Sequence, residues 1–217
     1  MLNGVIFDMD GVIVDSHRIH MKAWKEFLFS KGRLVTDLDL DFVRDGRKKQ
    51  DILRHFLGDL TEDQIQLYGY QKELLFREEA NNMATIPGVR RLLDELNRAG
   101  IPMAVGSSGS RGRVHYLLNL LHLRKYFAAV VTAEDVVLGK PDPAIFCKAS
   151  RDLRVRPMDS LVIEDSISGV LAAKAAGMKC LGIADRRHTH ALLQAGASNV
   201  LPNFMNASLS EMQSLFN

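Results

Sequence analysis

Gly4-Val5-Ile6-Phe7-Asp8-Met9-Asp10-Gly11 runs four apolar residues into two carboxylates one residue apart, then into a glycine. The first four read as a buried strand, since β-branched and aromatic residues suit a packed, pleated backbone. In extended chain, side chains two apart point to the same side, so Asp8 and Asp10 can face one substrate. Gly11 permits a sharp backbone turn. A carboxylate at a strand tip can attack phosphorus, and one beside it can move a proton. Strand-end aspartates can equally cap a turn or the next helix.

Outward from this stretch the rhythm changes. From Ser16 the spacing is helical, with Ile19, Ala23, Phe27 and Leu28 on one face and Trp24 beside them. Helix-like, charge-rich sequence continues toward Ala84, broken near Gly32 and Gly58. After Pro87-Gly88, strands and helices alternate. The helix VRRLLDELNRAG ends at Gly100, followed by the strand IPMAVG at 101–106. A helix from Arg113 to Leu121 leads to AAVVTA, and a helix after Pro143 leads to SLVIE. ISGVLAAKAAG then feeds KCLGIA. Such alternation indicates βαβ units and a parallel sheet. The opening strand is cut off from its partners by helices alone. The expectation is an α/β core of residues 1–15 and 85–217, interrupted by an all-helical insertion of residues 16–84.

The 217 residues are 47% hydrophobic and 25% charged, enough for one core with a modest insertion. A net charge of +2 is too weak to argue for nucleic acid or an anionic membrane. Asp8 and Asp10 interrupt the apolar N-terminal stretch, and no basic segment precedes it, unlike a signal peptide. No apolar run approaches the roughly 18 residues that span a bilayer. With only Cys147 and Cys180, reduced, packed thiols are expected. The cytoplasm is the expected location. His188-Thr-His190 lacks acidic or thiol partners nearby and is not read as a zinc site.

Three further polar clusters follow apolar strands, where an open parallel sheet has its ligand crevice. Gly106-Ser107-Ser108-Gly109-Ser110 can form a phosphate nest of hydroxyls and free amides, or a plain turn. Gly139-Lys140-Pro141-Asp142-Pro143 fixes a lysine in a stiff loop, where it can screen a phosphate or Asp8, or simply be solvated. Glu164-Asp165-Ser166 can hold a hard cation such as Mg²⁺ through oxygen, or cap the next helix. Each has an ordinary explanation. Together they supply a nucleophile, an acid/base, a hydroxyl, a lysine and a metal-binding pair, in the order of successive strands.

Asp8 to Val12 (D-x-D-G-V), Ser107, Lys140 in GKPDP and the Glu164-Asp165-Ser166 run resemble the four motifs of the haloacid dehalogenase superfamily. Within it, the chain resembles the β-phosphoglucomutase-like phosphatases, which carry a helical cap after the first motif. The resemblance implies a Rossmann-like, doubly wound core. It further implies Asp8 as nucleophile and Mg²⁺ ligand, and Asp10 as acid/base with its carbonyl on the metal. Ser107 and Lys140 would bind the transferring phosphoryl group, with Ser108 beside them, and Glu164 and Asp165 would complete the metal site. His20 and Trp24, one helical turn apart, match the family's substrate-facing pair. Gly46, Arg47 and Lys49 fall in its cap substrate loop, where the mutases have G-x-S-R and this chain has Lys48-Lys49 last. Arg111 and Arg113 could assist with phosphate or face solvent.

The reading is a Mg²⁺-dependent phosphatase of small phosphomonoesters, sugar phosphates foremost, working as a monomer through an aspartyl-phosphate. One alternative is a β-phosphoglucomutase, which needs a second phosphate grip. Another is a non-catalytic sugar-phosphate-binding module, for which both Asp8 and Asp10 would be superfluous.

Overall fold

Ile6 and Phe7 are adjacent in sequence and end in different cores. Val5 and Phe7 pack into one hydrophobic cluster and Ile6 into another, because successive strand side chains alternate between faces. The computed structural model describes residues 1–80 and 83–216. Its sheet has six parallel strands in the order β3-β2-β1-β4-β5-β6. These are β1 (Gly4–Phe7), β2 (Met103–Gly106), β3 (Ala129–Val131), β4 (Ser160–Glu164), β5 (Lys179–Ile183) and β6 (Asn199–Leu201). The same division holds in β4, where Leu161 and Ile163 join Phe7 while Val162 joins Ile6. Being buried on both faces, the central strands are continuous apolar runs, which is why they are visible in the sequence. β6 is not among the strands expected. It has three half-exposed residues at the sheet edge, too few to establish a period.

Helices α5 (Val89–Arg98), α6 (Arg111–Leu120) and α10 (Leu209–Ser214) cover the Phe7 face. The Ile6 face is covered by α7 (Ala144–Leu153), α8 (Ile167–Ala175) and α9 (Arg186–Ala195). Strand order runs from β1 through β2 to β3 on one side and through β4 to β6 on the other. That reversal beside β1 opens a crevice at the strands' carboxyl ends. Asp8, Ser107 and Glu164 all lie there.

Between β1 and α5 the described chain is helical: α1 (His17–Ser30), α2 (Asp41–Arg44), α3 (Lys49–Leu57) and α4 (Glu62–Glu79). These helices bury a separate cluster of Trp24, Phe27, Leu28, Leu40, Ile52, Leu53 and Ile65. Thr61 and Gln64 form a capping box at the start of α4. The inserted cap is tied to the core through the loop before α3. Ser168 donates from its hydroxyl to the Asp45 carbonyl, and its amide donates to Asp45 Oδ1 at 3.2 Å. Lys48, buried despite its charge, donates to the carbonyls of Val136 at 2.6 Å and Val137 at 3.0 Å. Lys48 therefore does not face the crevice; it fastens cap to core. A charge-assisted hydrogen bond contributes about 1.5–3 kcal/mol. Lys48→Met is expected to speed amide hydrogen exchange in α3 by about tenfold or more, with β4 unchanged. Equal exchange in the two proteins would refute this fastening role.

Candidate active site

The lysine of the stiff loop meets carboxylates from two strand tips. Lys140 Nζ donates to Asp8 Oδ1 and Glu164 Oε1, each at 2.5 Å, and its side chain has no exposed surface. Burial alone would lower the lysine's pKa, but Asp8 and Glu164 raise it, so Lys140 stays charged. The other Glu164 oxygen accepts from the amides of Asp165 and Ser166 at 2.7 Å and from the Ser166 hydroxyl at 2.9 Å. The Ser166 oxygen also accepts the Gly169 amide at 3.0 Å, capping α8. A Cβ on Gly169 would stand 1.9 Å from the Glu164 carboxyl carbon, so only glycine leaves it room. All of these partners keep Glu164 turned toward Lys140.

Asp10 is held by a second cluster. Its Oδ1 accepts from Ser16 at 2.6 Å and faces His20 Nε2 at 3.1 Å; its Oδ2 accepts from Arg113 Nη2 at 2.8 Å. The Arg113 guanidinium also lies against His20 Nε2. Burial would raise the Asp10 pKa, but Arg113, His20 and Ser16 outweigh it and hold the group well below the usual carboxylate range. Asp10 is thus kept as the carboxylate, the form that accepts a proton. On its far side His20 Nδ1 meets Lys72 Nζ at 2.9 Å, and its ring stacks on Phe76 with centroids 4.4 Å apart. Burial, reinforced by Lys72 and Arg113, pushes His20 down to about 3, so the ring is neutral.

The donor set fits a hard divalent cation. Burial pushes the Asp8 pKa up, and Glu164, Asp165 and Asp10 add to it against the opposing pull of Lys140. Four carboxylates, Asp8, Asp10, Glu164 and Asp165, thus face the two permanent cations Lys140 and Arg113. A divalent oxygen-seeking ion would offset that excess. Asp8 and Asp165 both face the cavity. Among the described residues no three His, Cys, Asp or Glu side chains form a ready cage, so further ligands would come from backbone and water. Asp165 Oδ2 lies 2.6 Å from His17 Nε2, a contact that leaves Oδ1 for an ion. Gly11, at φ +77°, is what admits this pair: its Cβ would lie 2.0 Å from Asp165 Oδ2 and 2.3 Å from His17 Nε2.

One cavity between core and cap is lined by Asp8, Asp10, Ser107, Ser108 and Asp165 from the core side. From the cap come His20, Trp24, Gly46, Arg47 and Lys49. Lys140 and Glu164 stand behind Asp8, outside the lining. Ser107 Oγ, buried, accepts the Gly109 amide at 3.0 Å, which shapes the loop. No short motif marks Lys72, Glu73, His17 or Ser16 as functional, and the sequence around Arg113 is as compatible with solvent as with phosphate. The signal for Lys72 was present: Ile65, Gly69, Lys72 and Phe76 form the buried stripe of α4, so a lysine occupies an apolar register. Arg113 gave no comparable signal, because its partner is more than a hundred residues away.

The family described as haloacid dehalogenase-like hydrolase matches residues 5–183. Among curated proteins, hexitol phosphatase A of Escherichia coli (strain K12) is 33% identical over 83% of this chain and 82% of its own length. β-Phosphoglucomutase of Bacillus subtilis (strain 168) is 30% identical over 84% and 83%. A crystal structure of β-phosphoglucomutase from Clostridium difficile superposes with a TM-score of 0.88 at 23% identity, covering 100% of this chain and 98% of that one, which shows the shared fold.

The buried Lys72 generates a stability prediction. Burial, followed by Arg113, lowers its pKa from 10.5 to about 7. Between those values the unfolded chain holds a proton that the folded protein releases, so stability rises with pH through this window, by about 1.4 kcal/mol per unit. Below pH ~7 both forms are protonated and the full cost remains. Lys72→Met is expected to stabilise the protein most below pH 7, with the advantage shrinking toward pH 10 in denaturant melts. An advantage independent of pH would contradict the buried, proton-shedding lysine.

Proposed function

The chain belongs to the haloacid dehalogenase-like hydrolases, and on that premise we propose that it hydrolyses small phosphomonoesters, sugar phosphates in particular, through an aspartyl-phosphate on Asp8. The observation that carries this reading is the pairing of a Lys140-held carboxylate at the tip of β1 with a proton-accepting carboxylate two residues on. Phosphoryl transfer depends more on positioning and charge neutralisation than on covalent activation. Lys140 orients Asp8 Oδ1, leaving Oδ2 for attack on phosphorus, which breaks the bond to the leaving oxygen. Asp10, on the neighbouring turn and a carboxylate at rest, would first take up a proton from solvent and then pass it to that oxygen. As carboxylate it then draws a proton from the water that cleaves the acyl phosphate, and His20, Ser16 and Arg113 set its direction. Asp8, Asp165 and the Asp10 carbonyl would hold Mg²⁺, which when bound supplies charge neutralisation at the phosphoryl oxygens. Glu164 acts from behind, through Lys140.

Hydrolysis needs one phosphate site and a mutase two, so hydrolysis is the less demanding reading. A mutase needs a cap cation for a second phosphate; Lys48 is spent on the Val136 and Val137 carbonyls, whereas Lys49, at the position of the mutases' arginine, lines the cavity. Arg47 is paired with Asp45 at 2.9 Å. The cavity holds about 90 Å³, well below the ~300 Å³ and more of ordinary ligand pockets. Admission of a sugar-sized ester therefore requires the cap to part from the core. Two free thiols, Cys147 and Cys180, fit a reducing cytoplasm. Among the described residues no helix is long and apolar enough to cross a membrane.

Inorganic phosphate release from a panel of sugar phosphates, with Mg²⁺ and with chelator, tests the reading. Asp8→Asn is expected to lower turnover by about 10³-fold or more while keeping the fold, seen by circular dichroism. Normal turnover in that variant would sink the mechanism. Glucose 6-phosphate formed from β-glucose 1-phosphate without net phosphate release would favour the mutase instead. The His17 contact is tested on binding rather than rate: His17→Ala is expected to weaken Mn²⁺ affinity by about 10–100-fold in titrations followed by electron paramagnetic resonance, with partial recovery in His17→Gln. Unchanged affinity would show that His17 does not orient Asp165 for the ion.

A further inference from the structure

Among the described residues, four buried side-chain polar atoms have no hydrogen-bond partner in the protein: Arg47 Nε, Glu73 Oε1, Ser108 Oγ and Gln71 Oε1. Three of them, Arg47, Glu73 and Ser108, belong to residues lining the cavity in front of Asp8. Buried polar groups in folded proteins are nearly always satisfied, so three orphaned atoms on residues that line one cavity point to a ligand that completes them. Their chemistry is specific. Glu73 Oε1 is an acceptor only, and Arg77 Nε, at 3.7 Å, is too distant to donate to it. Arg47 Nε is a donor only; the same guanidinium is committed to Asp45 through Nη2 and lies over the Phe42 ring at 4.7 Å. Ser108 Oγ can do either.

A hydroxyl group is both donor and acceptor, so several hydroxyls on one carbon frame can satisfy all three atoms. A second phosphate suits them poorly: it is mostly the dianion near neutral pH and would be repelled by the carboxylate. An aliphatic or aryl group would leave all three unmet. We propose that Glu73, with Arg47 and Ser108, reads hydroxyl groups on the organic part of the substrate, selecting polyhydroxylated monophosphates over unhydroxylated ones. Glu73 and Arg47 arrive with the cap and Ser108 with the core, so these contacts are complete only with the cap seated. This rests on the hydrolase reading and deepens it by assigning the specificity to named atoms.

The test is a ratio. Phosphate release is measured on glucose 6-phosphate and on cyclohexylmethyl phosphate, which keeps the ring and phosphate and lacks every hydroxyl. In the wild type kcat/KM should strongly favour glucose 6-phosphate, because a site built to hydrogen-bond a hydroxyl rejects the analogue without it. Glu73→Ala should lower that ratio by about tenfold or more, through KM for the sugar ester. Glu73→Gln, whose amide oxygen still accepts, should recover part of it. A parallel loss on both esters, leaving the ratio unchanged, would assign Glu73 to packing and overturn the proposal, as would an unchanged ratio with full activity. If the wild type releases phosphate from neither ester, the hydrolase reading falls and takes this inference with it. Turnover with no preference between them would sink the inference alone.

Discussion

A lysine ammonium with no exposed surface, held between two carboxylates, is the constraint on which the structure turns. Burying a charge is costly unless geometry and further hydrogen bonds compensate it, and removing one partner of a buried pair leaves the others stranded. Lys140 therefore obliges Asp8 and Glu164 to converge. They can, because β1 and β4 are sheet neighbours in parallel register, with Phe7 opposite Ile163. Glu164 is fixed in turn by the start of α8, where two amides and the Ser166 hydroxyl point at it, as a helix N-terminus favours an anion. The same serine caps that helix. Of the two readings of the Glu164-Asp165-Ser166 run, the helix cap is seen at Ser166, whose hydroxyl also helps hold the Glu164 carboxylate that faces Lys140.

The core alone leaves negative charge in excess; Arg47 and Lys49 of the cap line the cavity, but the cap groups clustered about Asp10 are neutral or half-neutral. His20 is kept uncharged, and Lys72, in the same desolvated space, sheds its proton near neutrality. What these residues supply is orientation: Lys72 lies against His20 Nδ1, and His20 Nε2 faces Asp10. The permanent cation on Asp10 is Arg113, which comes from the core. The clustered carboxylates therefore come from the strand ends and the turns that follow them, whereas the contacts that orient Asp10 are shared across the cap boundary. Parting the two layers would separate His20 and Lys72 from Asp10.

Legibility in the sequence followed burial and locality. The central strands were visible because residues covered on both faces must be apolar throughout, and the strand-end clusters because chemistry-bearing residues interrupt those runs abruptly. β6 was not visible, being three half-exposed residues. Lys48 sat in a basic run that reads as solvated or substrate-facing, and only its carbonyl partners some ninety residues later give it a role. Lys72 carried a faint sign, a charge in the buried stripe of α4, but nothing local names its partner.

The sequence by itself determined the parallel α/β core, the helical interruption after β1 and the set of residues at the strand tips. These follow from side-chain periodicity and from short motifs whose members are neighbours in the chain. Only the tertiary structure decided which charges meet: Lys140 between Asp8 and Glu164, Arg113 on Asp10, Lys72 behind His20, and Lys48 turned away to the core. Pairing of buried charges depends on distances across the fold that no local pattern encodes, because Coulomb and hydrogen-bond energies fall off over a few ångströms whatever the separation along the chain.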